Sequence, residues 1–511
     1  MGTTGADHLI ANAVHNGVEV CFANPGTTEL HIVEALDKQP GMRSVLSAFE
    51  GVCSGAADGY ARMAGKPALG LFHLGPGFAN SLANQHNARR HHTPMINLIG
   101  DQTTSHLRFD APLTSDIDAL AGWAGHTVHT ASAQACGQQM ADAVAFTLSG
   151  DERIVSLVMP ADHAWGAADV VLHDADVAPR AHPSADAIAE AAEALRTPGA
   201  VMIVGGAEIS DRAVVLLGRI RVATGATIHL TRTAKLAVGR HLPALRELPY
   251  FPAPLFAALA DVTTAVMVGR SEPVTFFGYP DHPSQALPAS AQKIELAGVD
   301  VDLERLLTEI ADHLGADTDD TVDHAPLPEA DPGPLDTRNL GAAFAAAVPE
   351  GAIVLGESIS SGGTYRYLTA QAAPHTLLGV LGGAIGGGLP SAIGAAIACP
   401  DRPVLALQAD GSSLYTVQSL WTMAREALDV TTVICANRRY QILDVELANA
   451  ALDVGAAGRR LTDLGSPDID FVKLGEGFGV PGRRATTGAE LIDALDWAAR
   501  EPGPHLIEAE L

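Results

Sequence analysis

Short apolar runs alternate along this chain with longer stretches in which apolar residues recur at helical spacing. Short continuous apolar runs are typical of strands buried on both faces, whereas the longer amphipathic stretches are typical of the helices that cover such a sheet. Over the first 165 residues this alternation predicts βαβ units and a parallel sheet. Helices are expected at 5–16, 28–37, 50–64 and 78–91, and strands at 18–26, 43–48, 67–75 and 94–101.

Two segments without apolar periodicity divide the rest of the chain. Residues 169–184 have the composition of a loop, and residues 313–337 are acidic and rich in proline, as solvated linkers are. We therefore predict an α/β protein of three doubly wound parallel-sheet domains, at residues 1–165, 185–315 and 338–511. In the third domain, strands are expected at 352–358, 403–411, 431–439 and 505–511, and helices at 416–427 and 488–500.

The charge balance limits the partners. The 511 residues carry 32 Lys and Arg against 59 Asp and Glu, a formal net charge of −27. Such a chain repels phosphate backbones and anionic lipids, so we expect neither nucleic acid nor a membrane as a partner. The five cysteines lie far apart, and there is no signal sequence or long apolar segment, so we expect a cytoplasmic location. The pair His91-His92 at a predicted helix end is expected to serve the helix dipole and the surface.

The clearest chemical signal follows the apolar run PVLALQ, which leads directly into residues 409–413, Ala-Asp-Gly-Ser-Ser. A strand that ends in an acidic turn before a helix places a carboxylate and free N–H groups together, which suits a phosphate with its metal. Asn437 ends a second strand 27 positions after Asp410, so both oxygens could reach one Mg²⁺ ion. The alternative is a helix-capping Asp410 and a turn-forming Asn437.

These motifs resemble those of the thiamine diphosphate (ThDP) enzymes that decarboxylate or ligate 2-oxoacids, such as acetolactate synthase and benzoylformate decarboxylase. The spacing from Asp410 to Asn437 resembles their diphosphate and Mg²⁺ motif, and GGAIGGGLPSAIGAA (382–396) looks like their glycine-rich segment. Three further blocks look like their pyrimidine-binding domain, namely Asn24-Pro25-Gly26-Thr27, FEGVCSGAADGYAR (49–62) and HLGPGFAN (73–80).

The resemblance implies a role for each matching residue. Glu50 would protonate N1′ of the aminopyrimidine so that the cofactor becomes its own base, and its structural alternative is a carboxylate in the first turn of a helix. Ile385 would be the apolar residue on which the cofactor bends. The remaining implied cofactor contacts are Gly383, Gly411, Ser412, Ser413, Pro25 and Gly26. The implied metal ligands are Asp410, Asn437 and the main-chain carbonyl of Arg439.

Residues near the expected substrate are similar to two branches of the family. His73 matches the active-site histidine of benzoylformate decarboxylase, and Thr27 stands where that enzyme has a serine, so both are candidate catalytic residues. His106 is a candidate contact for the substrate carboxylate. Where pyruvate decarboxylases have an Ile-Glu pair this chain has Ile442-Leu443, which favours ligation over simple protonation. A turn-forming Thr27, a core His73 and a solvated His106 are the structural alternatives.

From the resemblance we expect ThDP- and Mg²⁺-dependent decarboxylation of a small 2-oxoacid, with carboligation of the enamine as in acetolactate synthase. Pyruvate is the expected substrate. The alternatives are a benzoylformate-type decarboxylase of aromatic 2-oxoacids and a cofactor-binding homologue with little turnover. The family also implies a homodimer or homotetramer with ThDP at the subunit interface. The middle domain offers only one strand with a lone glycine pair, VMIVGG, so we expect no FAD.

Overall fold

The computed structural model describes residues 2–280 and 282–511. Met1 and Asp281, which fall in the predicted first and middle domains, lie outside the described residues. The strands in the described part are β1 (Val20–Asn24), β2 (Arg43–Leu46), β3 (Ala68–Phe72), β4 (Met95–Asp101), β5 (His126–His129), β6 (Ile154–Pro160), β7 (Ala200–Val204), β8 (Glu208–Ile209), β9 (Thr227–Leu230), β10 (Lys235–Val238), β11 (Arg246–Glu247), β12 (Thr264–Val268), β13 (Gln292–Ala297), β14 (Ile353–Glu357), β15 (His375–Gly379), β16 (Val404–Ala409), β17 (Val430–Ala436), β18 (Gly482–Ala485) and β19 (His505–Glu510).

Helices follow nearly every strand, as the sequence pattern predicts. They are α1 (Gly5–His15), α2 (Leu30–Asp37), α3 (Glu50–Ala64), α4 (Leu74–His91), α5 (Ile117–Ala124), α6 (Cys136–Leu148), α7 (Ala161–Trp165), α8 (Ala185–Ala194), α9 (Asp211–Thr224), α10 (Pro252–Leu259), α11 (Leu303–Leu314), α12 (Thr337–Ala347), α13 (Gly363–Leu368), α14 (Gly388–Ala398), α15 (Asp410–Ser413), α16 (Ser419–Arg425), α17 (Gln441–Asn449), α18 (Ala456–Arg459), α19 (Phe471–Gly477) and α20 (Gly488–Arg500). Short 3₁₀ turns lie at Thr27–Glu29, Leu107–Phe109 and Ala133–Ala135.

Three sheets form from these strands. The first has the order β2-β1-β3-β4-β6-β5, the second β11-β9-β7-β12-β13, and the third β18-β19-β17-β16-β14-β15-β10-β8. All pairings in the first two sheets are parallel. Strands such as β3, β4 and β17 are buried along their whole length, as expected where helices cover both faces. The α/β class with several parallel sheets is therefore confirmed.

The third sheet differs from the expected self-contained domain at one edge. Strands β8 and β10 come from the middle segment of the chain, and β10 pairs antiparallel with β15. Pairing with β10 removes the exposed edge that β15 would otherwise present. The short middle-domain strands carry no sequence signal for this pairing, because the partner lies more than a hundred residues away.

The first and third sheets share one hydrophobic core, which is centred on the packed helices α3 and α14. A Cβ added at Gly59 would overlap the backbone of Ser391, and one added at Gly394 would overlap the backbone of Ala56. These glycines are required because the two helix backbones approach more closely than any side chain allows. The close contact fixes the position of the first domain of this chain against the third.

The histidine pair at the end of α4 corrects one prediction. His91 is 1% exposed, and its Nδ1 donates to the carboxylate of Asp58 at 2.9 Å. Its Nε2 accepts the backbone N–H of Leu381 at 3.0 Å. A buried acceptor on Asp58 draws His91 inward, so this residue serves the interior and not the surface.

No helix of the described part is long and apolar enough to cross a bilayer.

Candidate active site

Glu50 is the first residue of α3 and is only 9% exposed. The backbone of Phe49, the residue before it, is extended, so α3 begins at the predicted catalytic carboxylate itself. Its Oε2 accepts a hydrogen bond from Asn80 Nδ2 at 3.0 Å. A Cβ placed at Gly77 would lie 3.2 Å from Glu50 Oε1. The second oxygen therefore faces a stretch of α4 without a side chain, which leaves room for a ring nitrogen.

His73 caps the start of α4 and is oriented by a carboxylate that the sequence analysis missed. Glu29 is fully buried, and its Oε2 accepts the Nδ1–H of His73 at 2.8 Å and the N–H of Gly26 at 2.7 Å. Because an ionised carboxylate can only accept, the proton lies on Nδ1 and leaves Nε2 as the free nitrogen. Thr28 adds a hydroxyl hydrogen bond to the same carboxylate. The spacing of Gly26 and Glu29 resembles a capping box, and this was the available signal.

The turn before Glu29 holds three of the predicted residues. A Cβ at Gly26 would overlap the His73 imidazole, so glycine is required for the ring to lie against the turn. Thr27 begins the 3₁₀ turn and is exposed, as is Pro25. Gly77 lies close to both Glu50 and His73, since a Cβ on it would be 3.2 Å from Glu50 Oε1 and 3.4 Å from His73 Cβ. The structure thus brings together the candidates of the first domain, Glu50, His73 and the turn at 25–29.

Asp410 stands at the carboxyl end of β16, is 3% exposed, and begins the short helix α15. Its Oδ1 accepts the N–H of Gly411 at 2.7 Å, and its Oδ2 accepts the N–H of Arg438 at 2.6 Å. Burial raises the pKa of Asp410, although these N–H groups partly oppose the effect. Ala409 before it has φ −79, a backbone conformation that a residue with a Cβ adopts without strain. The helix expected at 416–427 is observed as Ser419–Arg425, because residues 410–413 form a helical turn of their own.

Asn437 follows β17, the neighbour of β16 in the sheet. Its Oδ1 accepts the N–H of Arg439 at 3.0 Å, and its amide nitrogen donates to Ser361 Oγ at 3.0 Å. Because Asp410 accepts the N–H of Arg438, the residue directly after Asn437, the two predicted ligands are held at one edge of the sheet. This arrangement is what the strand-end argument requires.

Some of the hydrogen-bond donors next to Asp410 are already bonded within the protein. Ser412 and Ser413 are both buried, and Ser413 Oγ donates to the carbonyl of Asp410 at 2.7 Å. The Ser413 hydroxyl therefore bonds within its own helical turn in this structure. A Cβ at Gly411 would overlap the ring of Tyr440, so the glycine is required by this aromatic contact. The backbone N–H groups of the turn remain at a helix N-terminus, where an anion is favoured.

The remaining predicted contacts lie around this edge or on loops. Gly383 has φ +77 and is exposed, and Ile385 is half-buried in the same loop. Ile442 and Leu443 lie in the first turns of α17, with Leu443 47% exposed. His106 lies on an exposed loop after β4, with its ring centroid 5.9 Å from that of Phe109. The roles of these residues stay predictions.

The residues present fit a hard cation whose coordination a diphosphate completes. Asp410, Asn437 and the Arg439 carbonyl offer only oxygen, the ligand type that Mg²⁺ prefers. Each Asp410 oxygen accepts one N–H bond and keeps a lone pair. Across residues 2–280 and 282–511 there is no group of three or more His, Cys, Asp or Glu side chains that could hold a metal. A metal here would thus need oxygens from a bound ligand.

Known proteins are similar to this chain over almost its whole length. The chain is 44% identical over 509 residues to "Putative acetolactate synthase large subunit IlvX" of Mycobacterium tuberculosis, covering 99% of this chain and 98% of that one. It is 29% identical to a benzoylformate decarboxylase of Pseudomonas aeruginosa, covering 96% of each. A solved ThDP-dependent 4-hydroxybenzoylformate decarboxylase of Rhodococcus jostii RHA1 shares the fold, with a TM-score of 0.85 at 24% identity over 99% of this chain and 98% of that one.

Two family models match the ends of the chain where the candidate residues lie. The thiamine pyrophosphate enzyme N-terminal TPP binding domain matches residues 3–145, and the C-terminal TPP binding domain matches residues 360–509. The first range contains Glu50 and His73, and the second contains Asp410 and Asn437. The chain therefore belongs to the thiamine pyrophosphate enzyme family.

Proposed function

We propose that this protein catalyses ThDP- and Mg²⁺-dependent decarboxylation of a 2-oxoacid, pyruvate first, and ligates the remaining two-carbon unit to a second carbonyl compound. Bound ThDP would supply a carbanion at C2 of its thiazolium ring and an electron sink for the bond to CO₂. The single observation that carries the proposal is the pairing of Asp410 and Asn437 at one sheet edge through the Arg438 N–H. It supports a diphosphate and its metal at the position where the family motif requires them.

The chain's own residues would divide the work between two ends of the cofactor. Asp410, Asn437 and the Arg439 carbonyl would hold Mg²⁺ and the diphosphate. Glu50 Oε1, which faces the Gly77 gap, would hold a proton at N1′ of the aminopyrimidine. A buried carboxylate suits this task because burial strengthens its hydrogen bond to a ring nitrogen.

His73 and the turn at 25–29 would act on the substrate. Glu29 holds the His73 ring through Nδ1–H, so Nε2 would accept a hydrogen bond from a substrate hydroxyl when it is unprotonated and would donate to a carboxylate or carbonyl oxygen when it carries a proton. The exposed hydroxyl of Thr27 would bind the same carboxylate. His106 is proposed as a further contact for that carboxylate group.

Two observations bear on the fate of the two-carbon unit. Leu443 stands where an acid would otherwise assist protonation, and the 44% identical relative carries the name of an acetolactate synthase subunit. Both support ligation. The Glu29–His73 pair supports the second candidate, a benzoylformate-type decarboxylase, because an oriented imidazole that has taken up a proton at Nε2 can deliver it in the step that leads to an aldehyde.

We also propose that the working unit is a homodimer or homotetramer with ThDP between subunits. If Glu50 and Asp410 of one chain serve different sites, then Glu50→Gln and Asp410→Asn chains, each inactive alone, should regain activity when they are co-assembled. Activity that stays absent in the mixed oligomer would place both residues in one site.

The test of the reaction is CO₂ release and product mass with pyruvate, 2-oxobutyrate, phenylpyruvate and benzoylformate, with ThDP and Mg²⁺ present. Acetolactate or acetoin from pyruvate is the expected result. Benzaldehyde from benzoylformate would select the second candidate. Tight ThDP binding with no CO₂ from any of the four acids would overturn both and indicate a cofactor-binding homologue.

A further inference from the structure

Glu357 is a buried carboxylate that is not among the candidate catalytic, cofactor-binding or metal-binding residues. It is the last residue of β14 and is 2% exposed. Its two oxygens accept three consecutive backbone N–H groups, from Gly386 at 2.9 Å, Gly387 at 3.1 Å and Gly388 at 2.9 Å. The carboxylate therefore fixes the backbone directly after Ile385.

The backbone on the other side of Ile385 is held from the first domain. Asn87 on α4 donates to the carbonyl of Ala384 at 2.8 Å and accepts the N–H of Ala384 at 3.3 Å. Asn84, one turn earlier on α4, donates to the carbonyl of Gly386 at 3.3 Å. Ile385 thus sits between two residues whose backbone groups are bonded to buried side chains.

An ordinary helix cap does not account for this arrangement. Asp336 caps α12 with an exposed carboxylate that accepts two N–H groups at 2.8 Å, so the fold caps a helix of the same length without burying a charge. Burial raises the pKa of Glu357 to about 7, and the three N–H groups oppose the rise only in part. The buried acid is the less favourable way to cap α14, and what it adds is a fixed path for residues 386–388.

We propose that Glu357 is a positioning residue which, together with Asn87, fixes the loop at 384–388 so that Ile385 holds the pyrimidine and thiazolium rings of the cofactor in close approach. This inference rests on the proposed function, since it assigns Ile385 a contact with ThDP. Removing either hold would let the loop shift. A shift of the order of 1 Å at a reacting group lowers its rate by about 10²-fold.

The test compares Glu357→Gln with Asp336→Asn, a matched cap variant on an exposed carboxylate. In Glu357→Gln the amide oxygen can still accept from Gly386 and Gly387, whereas the amide nitrogen would face the Gly388 N–H, donor against donor. Two quantities are measured: ThDP affinity, and the rate at which the C2 proton of bound ThDP exchanges with D₂O, followed by quenched-flow NMR. The exchange needs no substrate, so it reports the activation of bound ThDP separately from every substrate step.

We expect Glu357→Gln to bind ThDP within about threefold of wild type and to exchange C2–H about 10–100-fold more slowly. Asp336→Asn should exchange at the wild-type rate. Asn87→Ala, which releases the loop from the other side, should show the same slow exchange and decides the question if Glu357→Gln does not fold. Wild-type exchange in the variants would overturn this inference alone, whereas a wild type that does not bind ThDP would overturn it together with the proposed function.

Discussion

The buried ion pair between Asp58 and Arg62 on α3 gives the most quantitative prediction. Asp58 on α3 is 2% exposed and accepts hydrogen bonds from His91 Nδ1 at 2.9 Å, from Arg62 Nη1 at 3.2 Å and from the Thr93 hydroxyl. Arg62 in turn donates to the carbonyl of Gly379 at 2.9 Å, at the end of β15. The pair therefore links the first domain to the start of the glycine-rich loop.

Asp58→Asn would keep the shape of the side chain and remove its charge. Burial by itself would raise the pKa of Asp58, but the His91 and Arg62 side chains and the hydroxyl of Thr93 hold it well below its usual range. The variant leaves Arg62, itself 8% exposed, without its counter-ion, and breaking a buried pair in this way costs about 3–5 kcal/mol. At roughly 2 °C per kcal/mol for a large cooperative unit, the apparent melting temperature should fall by about 6–10 °C.

The assay is a thermal melt at pH 7.5 at a fixed scan rate, with Glu34→Gln as the control. Glu34 pairs with Lys38 at 3.0 Å, but their side chains are 49% and 44% exposed, so the loss of this pair should lower the melting temperature by no more than about 1 °C. Because the pKa of Asp58 is depressed, its stabilisation is present above the unfolded value of about 3.9 and is lost only as the pH falls below it. An Asp58→Asn melt within 2 °C of the Glu34→Gln melt would refute the argument.

Four further outcomes test the site. Glu50→Gln should retain ThDP in dialysis and lower turnover by about 10²–10⁴-fold, and an active variant would contradict the proton role. Asp410→Asn should weaken Mg²⁺ and ThDP together by about 10–100-fold in titration calorimetry, so unchanged affinity would remove the metal assignment. Glu29→Gln should lower kcat without releasing ThDP, because His73 loses its orientation, and cofactor loss would place Glu29 in the binding site. Burial raises the pKa of Glu357 to about 7, so ionising this carboxylate destabilises the folded protein. The melting temperature of the wild type should therefore fall relative to that of Glu357→Gln as the pH rises from about 5 to 8. A difference between the two melting temperatures that does not change with pH would contradict this.

Local patterns predicted the elements well where one strand or helix carries its own signal. The helices expected at 50–64 and 488–500 have those bounds, because each begins at a residue suited to a helix start and ends where the apolar spacing stops. The placement of Asp410 and Asn437 at one edge was also predictable, since parallel strands carry their carboxyl ends to the same side.

Contacts between distant segments left no such signal. Glu29 looks like a capping residue until His73, 44 positions later, is placed beside it. His91 has the sequence context of a surface residue at a helix end. Only the packing of α3 against α4 places the Asp58 carboxylate within hydrogen-bond distance of its ring. Glu357 is similar, because its three N–H partners lie about thirty residues further along the chain. In each case the partner is set by the tertiary fold and not by local spacing.

Arg438, which directly follows Asn437, is likewise held by partners that lie far from it in the sequence. Arg438 has φ +57, a left-handed backbone that costs a residue with a Cβ about 1–2 kcal/mol. Its guanidinium donates to Asp468 at 2.7 Å and to Glu510 at 2.8 Å, and these two partly exposed ion pairs help to hold the conformation. These bonds draw the side chain towards the loop at 468 and the end of β19 and leave the backbone N–H on Asp410. Arg438 therefore helps to hold the ligand loop, and it keeps Asp410 and Asn437 together at the edge where the metal and diphosphate are proposed to bind.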